Sequence, residues 1–157
     1  MPRKTWERFL RGRHVAVLGT IAPDGAATLT PIWYLYRDGV ILMRTNADSI
    51  KALNIAREPR ATVCVQDERP PYKSVTLYGE AKIGEVQHEL GAEIARHYLG
   101  AIGGIAYQRT AQASVQRGEE VTITFTPSRA LTQDFSLETP LVGKVWLAVR
   151  RVLPPWL

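Results

Sequence analysis

Val40-Ile41-Leu42-Met43-Arg44-Thr45-Asn46-Ala47-Asp48-Ser49-Ile50-Lys51 is the stretch on which the fold turns. Four apolar residues form a strand, several short polar side chains follow, and a helix is predicted from about Ser49 to Arg57, stopping before Pro59. Asp48 is the expected N-cap. Such a turn exposes unpaired backbone N–H groups at the positive end of a helix dipole, the ingredients of an anion site. Lys51 then falls in the first helical turn, where a cation opposes the dipole by roughly 0.3–1 kcal/mol. A bound phosphate would reverse that sign and use Lys51, Ser49 and Thr45 together. The same residues also fit an ordinary capped surface helix with a solvated lysine.

Outward from this turn the chain reads as strands. Residues 3–12 predict a short amphipathic helix carrying Trp6, Phe9 and Leu10. Val15–Ile21 is a buried-looking strand, Pro23-Asp24-Gly25 a turn, and Ala26–Tyr36 a second strand in which Pro31 marks an edge or bulge. Asp38-Gly39 is a hairpin signal that leads into Val40–Arg44. Beyond the helix, Arg60–Gln66 is a fourth strand, and Tyr72–Glu85 a long one with strict period-2 alternation. Val86–Leu99 reads as a helix ended by Gly100. Residues 101–118 predict a turn at Gly103-Gly104 and then a short helix. Glu120–Phe125 is a β-branched strand, Thr126-Pro127-Ser128 a turn, and Arg129–Phe135 one further strand. The fold class is therefore α+β and mostly antiparallel, with six or seven strands that suit a small closed or split barrel.

At 157 residues the chain reads as one domain over 1–136, followed by a tail over 137–157. In the tail Thr139 and Pro140 open a basic amphipathic helix bearing Val145 and Trp146. It suits packing on the barrel or on a partner subunit, in preference to a membrane surface. The net charge of +5 sits at the ends. Five Lys/Arg face one Glu in residues 1–13 and three face one in 137–157, leaving twelve basic against thirteen acidic residues between. A balanced body argues against nucleic-acid binding. A single cysteine, Cys64, and the absence of a signal-like leader or a long apolar run lead us to expect a cytoplasmic protein.

His14, His88 and His97 are widely spaced and no cysteine or acidic cluster completes a ligand set, so no metal site is expected. There is no P-loop, nucleophile elbow or dinucleotide glycine fingerprint. With no side-chain constellation for covalent or acid–base chemistry and no catalytic residue to name, a reaction here would be carried by a cofactor.

The ordered series Val17-Leu18-Gly19-Thr20, Pro23-Asp24-Gly25, Thr28–Tyr34, Val40–Asn46, Lys51-Ala52-Leu53-Asn54, Pro59-Arg60-Ala61 and Tyr72–Ala81 resembles the flavin/deazaflavin oxidoreductases with the split β-barrel of pyridoxamine 5′-phosphate oxidase. The resemblance runs from about His14 to Phe135 and is greatest to the branch that uses the deazaflavin coenzyme F-420. It implies a homodimer with cofactor at the interface and hydride transfer from reduced F-420 to an unsaturated small molecule. By the same resemblance Lys51 holds the phosphate with Thr45, Asn46 and Ser49, Thr30, Pro31, Ile32 and Trp33 border the ring, and Gln66 is a further cofactor contact. The chain lacks the dense basic cluster associated with the oxidase that makes pyridoxal phosphate, which argues against that activity. An FMN-dependent oxidoreductase on the same barrel and a non-catalytic flavin or hydrophobic-ligand carrier are the alternatives.

Overall fold

The computed structural model describes residues 1–115, 120–136 and 145. The elements are α1 (Arg3–Leu10), β1 (Ala16–Ile21), β2 (Ala27–Ile32), β3 (Tyr34–Arg37), β4 (Val40–Asn46), α2 (Ile50–Arg57), β5 (Arg60–Asp67), β6 (Lys73–Gly84), α3 (His88–Val115) and β7 (Glu120–Asp134). The strands form a single antiparallel sheet in the order β2-β1-β5-β6-β7-β4-β3.

The two edge strands of this sheet, β2 and β3, are consecutive in the chain with Trp33 alone between them. A flat seven-stranded sheet would hold its edges roughly 28 Å apart, at about 4.7 Å per strand step. One residue spans under 4 Å, so the sheet must curl until its edges meet at Trp33. They do not pair along their length, which makes the barrel split. Ala26–Tyr36 is thus two strands on opposite edges rather than one. Pro31 lies on an edge, where its missing N–H costs no ladder bond.

The inward residues of the sheet fill the barrel. Leu18, Tyr34, Ile41, Met43, Val63, Val65, Val75, Leu77, Ile123 and Phe125 are all buried in one cluster. Helix α1 adds Leu10 to it, with Trp6 and Phe9 alongside, and the Tyr34 hydroxyl donates to the Leu10 carbonyl at 2.9 Å. On the outer surface α3 covers β3 and β4, burying Leu42, Leu90 and Ile94 with Trp33, Leu35, Val40 and Tyr98 packed against them.

Three boundaries differ from the sequence reading for identifiable reasons. Strand β7 runs unbroken from Glu120 to Asp134, because Thr126-Pro127-Ser128 is a bulge: Pro127 faces Gly79, Arg129 faces Tyr78, and Ser128 is the extra residue. A Cβ on Gly79 would stand 2.1 Å from the Thr126 carbonyl oxygen, so glycine is what lets the bulge close. Residues 101–115 are helical rather than a glycine turn, and the break falls at Gly100, whose φ of 74° interrupts α3. The cap of α2 is Ser49, one residue later than expected. The tail from 137 lies outside the described residues, Val145 excepted. Among the described residues no helix is long and apolar enough to cross a membrane.

Candidate cofactor site at the end of strand β4

Strand β4 alternates its side chains between two environments. Ile41 and Met43 enter the barrel core while Leu42 meets α3, so Thr45 continues the inner face and Arg44 the outer. The chain then tightens, with the Ser49 N–H donating to the Asn46 carbonyl at 3.1 Å, and α2 begins. Ser49 Oγ accepts from the Ala52 N–H at 3.4 Å and lies 3.1 Å from Thr45 Oγ1. Lys51 Nζ donates to the same Thr45 Oγ1 at 3.1 Å. All three side chains are half-buried, whereas Asn46 and Asp48 are exposed.

This cluster fits a phosphate by its chemistry. It offers an ammonium, two hydroxyls and the first backbone N–H groups of α2, which have no intrahelical acceptor. Among the described residues Lys51 has no carboxylate partner. A half-buried cation at the positive end of a helix is therefore uncompensated within the described residues, and an anion at that point supplies what is missing.

The other candidates are distributed along the β2 edge and beyond. Thr30 is half-buried opposite Leu18, Pro31 is exposed on the opposite face, and Ile32 packs against the barrel core. Trp33 occupies the corner between β2 and β3, one step before the ladder in which Tyr34 faces Met43, and so close to the Thr45 end of β4. Gln66 stands exposed near the end of β5, paired with Ser74, and shares no described contact with the Lys51 turn. The structure thus joins Thr45, Ser49 and Lys51 directly and Asn46 through its backbone, sets Thr30–Trp33 along the neighbouring edge, and leaves Gln66 apart.

Several residues at this end of the barrel escaped the sequence reading. Asn54, one turn after Lys51, is buried and donates from Nδ2 to Thr20 Oγ1 at 3.1 Å and to Thr28 Oγ1 at 3.4 Å, tying α2 to β1 and β2. Its signal is a polar side chain on the apolar face of a short helix. Tyr98 stacks on Trp33 with centroids 4.8 Å apart and planes 5° apart, and Tyr107 meets the same indole at 5.7 Å and 48°. The Tyr98 hydroxyl donates to the His14 carbonyl at 2.6 Å and accepts from the Tyr34 N–H at 3.3 Å. Burial pushes the Tyr98 phenol up to about 12, against the Tyr34 N–H bond, so it remains a donor at ordinary pH. On the outer face Arg44 pairs with Glu120, and Gly91 of α3 leaves room for the guanidinium. Burial lowers the pKa of Arg44, with Tyr107 acting in the opposite sense.

A groove of about 790 Å³ opens elsewhere, on the outer face of β1, β2, β5 and β6, with Gly19, Leu29, Thr62, Tyr78 and Pro127 in its lining. None of the nine candidate residues lines it. Among the described residues no group of three His, Cys, Asp or Glu side chains is placed to hold a metal ion.

An antiparallel seven-stranded sheet, curled with its edges meeting at one corner and backed, among the described residues, by three helices, is the split barrel of the pyridoxamine 5′-phosphate oxidase family. The sequence profile of the pyridoxamine 5′-phosphate oxidase family matches residues 2–134, and the chain belongs to that family. Comparison with functionally curated proteins gave no match. Among solved structures, a conserved hypothetical protein of Mycobacterium tuberculosis, Rv2991, superposes with a TM-score of 0.75 at 27% identity, covering 89% of each chain. An F-420 reductase aligns at 20% identity and a TM-score of 0.61, covering 80% of this chain and 94% of its own. A FAD-binding protein from Mesorhizobium loti aligns at 16% identity and a TM-score of 0.61, covering 84% and 92%. At these identities the last two speak for the fold alone.

Proposed function

We propose that this protein is an oxidoreductase that uses the reduced deazaflavin coenzyme F-420 to reduce an unsaturated small molecule. The observation that carries this reading is the convergence of Lys51 Nζ and Ser49 Oγ on Thr45 Oγ1, each at 3.1 Å, at the start of α2. In this reading Lys51, the two hydroxyls and the first N–H groups of the helix grip the cofactor phosphate, with the Asn46 amide beside them. Thr30, Pro31, Ile32 and Trp33 border the ring along the β2 edge. When bound, the reduced deazaflavin supplies the hydride. The chain's own part is to fix the phosphate, orient the ring against Trp33 and keep water from the reacting face. No side chain is assigned as an acid or base.

The working form in this reading is a homodimer with the cofactor at the interface. Leu29 on β2 and Ile50 and Leu53 on α2 are 58–68% exposed, and they flank the candidate residues on both sides. An interface there would cover them, and the outward-facing Gln66 would contribute across it. A cytoplasmic location accords with an enzyme of this kind.

Purified protein mixed with reduced F-420 and a conjugated enone should reoxidise the cofactor in proportion to enone consumed. FMN retained through purification would replace the deazaflavin with a flavin. Binding of F-420 with no turnover across enones, quinones and tetrapyrroles would make the protein a carrier.

A further inference from the structure

Asn54 is a polar side chain on a helix face that is otherwise apolar. Helix α2 buries Ala52, Asn54 and Ile55, and Asn54 is only 4% exposed. A buried amide is tolerated where hydrogen bonds replace its water. Asn54 Nδ2 donates to Thr20 Oγ1 at 3.1 Å and to Thr28 Oγ1 at 3.4 Å. These two threonines stand directly opposite each other in the β1–β2 ladder, so one side chain grips a strand pair from the same side. Contact through Ala52 and Ile55 alone would let an eight-residue helix slide, whereas paired hydrogen bonds are directional.

The place of this tie is what matters for the site. Lys51 lies three residues earlier on α2, about 4.5 Å along the helix axis and one turn away. Thr30 lies two residues beyond Thr28 on the same face of β2, about 7 Å along the strand. Asn54 therefore links the helix that carries Ser49 and Lys51 to the edge that carries Thr30–Trp33. Arg57 makes a second tie, from Nη2 to the Ile21 carbonyl at 2.5 Å, but that one ends on β1. Among the described residues, the hydrogen bond from an α2 side chain that reaches β2 is the one from Asn54 to Thr28.

We propose that Asn54 is a positioning residue that fixes the spacing between the phosphate end and the ring end of the site, so that both ends of one cofactor are gripped together. The identity of the two ends rests on the oxidoreductase reading above; the α2–β2 tie does not. A ligand held at both ends binds more tightly than its separate halves by a factor that depends on their spacing. Loosening α2 against β2 removes that factor and leaves each half of the site intact. The role requires no contact between Asn54 and the cofactor.

Equilibrium titrations of the full-length protein with F-420, with its phosphate-free deazaflavin core and with inorganic phosphate test this. Asn54→Ala should weaken F-420 about tenfold and leave the core and phosphate each within about twofold of the wild type. Lys51→Ala, by contrast, should weaken F-420 and phosphate and spare the core. Thr28→Val is nearly isosteric and keeps the Thr20 bond, so it stands in should Asn54→Ala not fold. It should reproduce the Asn54→Ala pattern at about threefold. An equal loss for all three probes, or unchanged F-420 affinity in both variants, overturns the proposal. In cofactor-free protein the Asn54 side-chain amide should exchange with solvent at least about tenfold more slowly than free asparagine. Exchange at the free rate removes the tie itself. If the wild type binds no F-420, the oxidoreductase reading fails and the positioning role with it, while exchange of that amide still decides whether α2 is tied to β2.

Discussion

A lysine in the first turn of a helix works against the dipole, and here Lys51 is held by a threonine from the preceding strand. In cofactor-free protein Lys51→Ala should leave the melting temperature almost unchanged, because the lost Thr45 bond and the relieved dipole penalty, each below about 1 kcal/mol, oppose each other. Ser49→Ala removes the cap and should cost about 1 kcal/mol, while Asp48→Ala, at an exposed turn position, should cost almost nothing by denaturant titration. These two substitutions separate residues that the sequence alone leaves interchangeable, since both serine and aspartate cap helices well. What decides between them is the Ser49 N–H to Asn46 carbonyl bond, which absorbs Asp48 into the turn. His14 gives a pH prediction. Burial lowers its pKa below 6.5, with Arg69 and His97 adding and Asp67 opposing. The folded state thus binds fewer protons than the unfolded one below that point. Stability is fullest above pH 6.5 and declines as pH falls through the folded-state value. Melting curves at pH 8, 6.5 and 5 should show this decline in the wild type and a shallower one in His14→Gln.

At the scale of elements, what could be read locally was read from local chemistry. Strand β6 declares itself through alternation, the Asp38-Gly39 turn through its positive φ values of 51° and 82°, and β4–α2 through its change from apolar to capping residues. The structure departs from local chemistry where a partner distant in sequence decides. Ala26–Tyr36 has the composition of one strand, and only the need to join two sheet edges breaks it at Trp33. Thr126-Pro127-Ser128 has turn composition, yet Gly79 on β6 lets it pass as a bulge. Gly79→Ala should therefore destabilise the fold by about 1–3 kcal/mol, since the clash is with backbone and cannot be relieved by a rotamer. Chemical denaturation measures it, and Gly25→Ala, in an open turn, is a control limited to the conformational cost of its positive φ.

At the scale of the whole molecule, one curled sheet brings the β2 edge and the end of β4 to a common corner. That is why Thr30–Trp33 and Thr45–Lys51, far apart in a linear reading, belong to one candidate site. The candidate phosphate residues stand out in the sequence because short polar side chains between a strand and a helix suit both capping and an anion. Tyr98 and Tyr107 do not, because their value depends on α3 packing across the corner between β2 and β3 to meet Trp33. Exposed Leu29, Ile50 and Leu53 around this corner lead us to expect a dimer, which light scattering should register as twice the 17.5 kDa chain mass. The most direct measurement of the central claim is an equilibrium titration of wild-type and Lys51→Ala protein with F-420, with FMN in parallel. The wild type should bind F-420 in preference to FMN, and Lys51→Ala should weaken it about 10- to 100-fold, the loss of one charge-assisted hydrogen bond to phosphate. Equal affinity in the two proteins, with the fold intact, would contradict the placement of the cofactor phosphate at the Thr45–Lys51 turn.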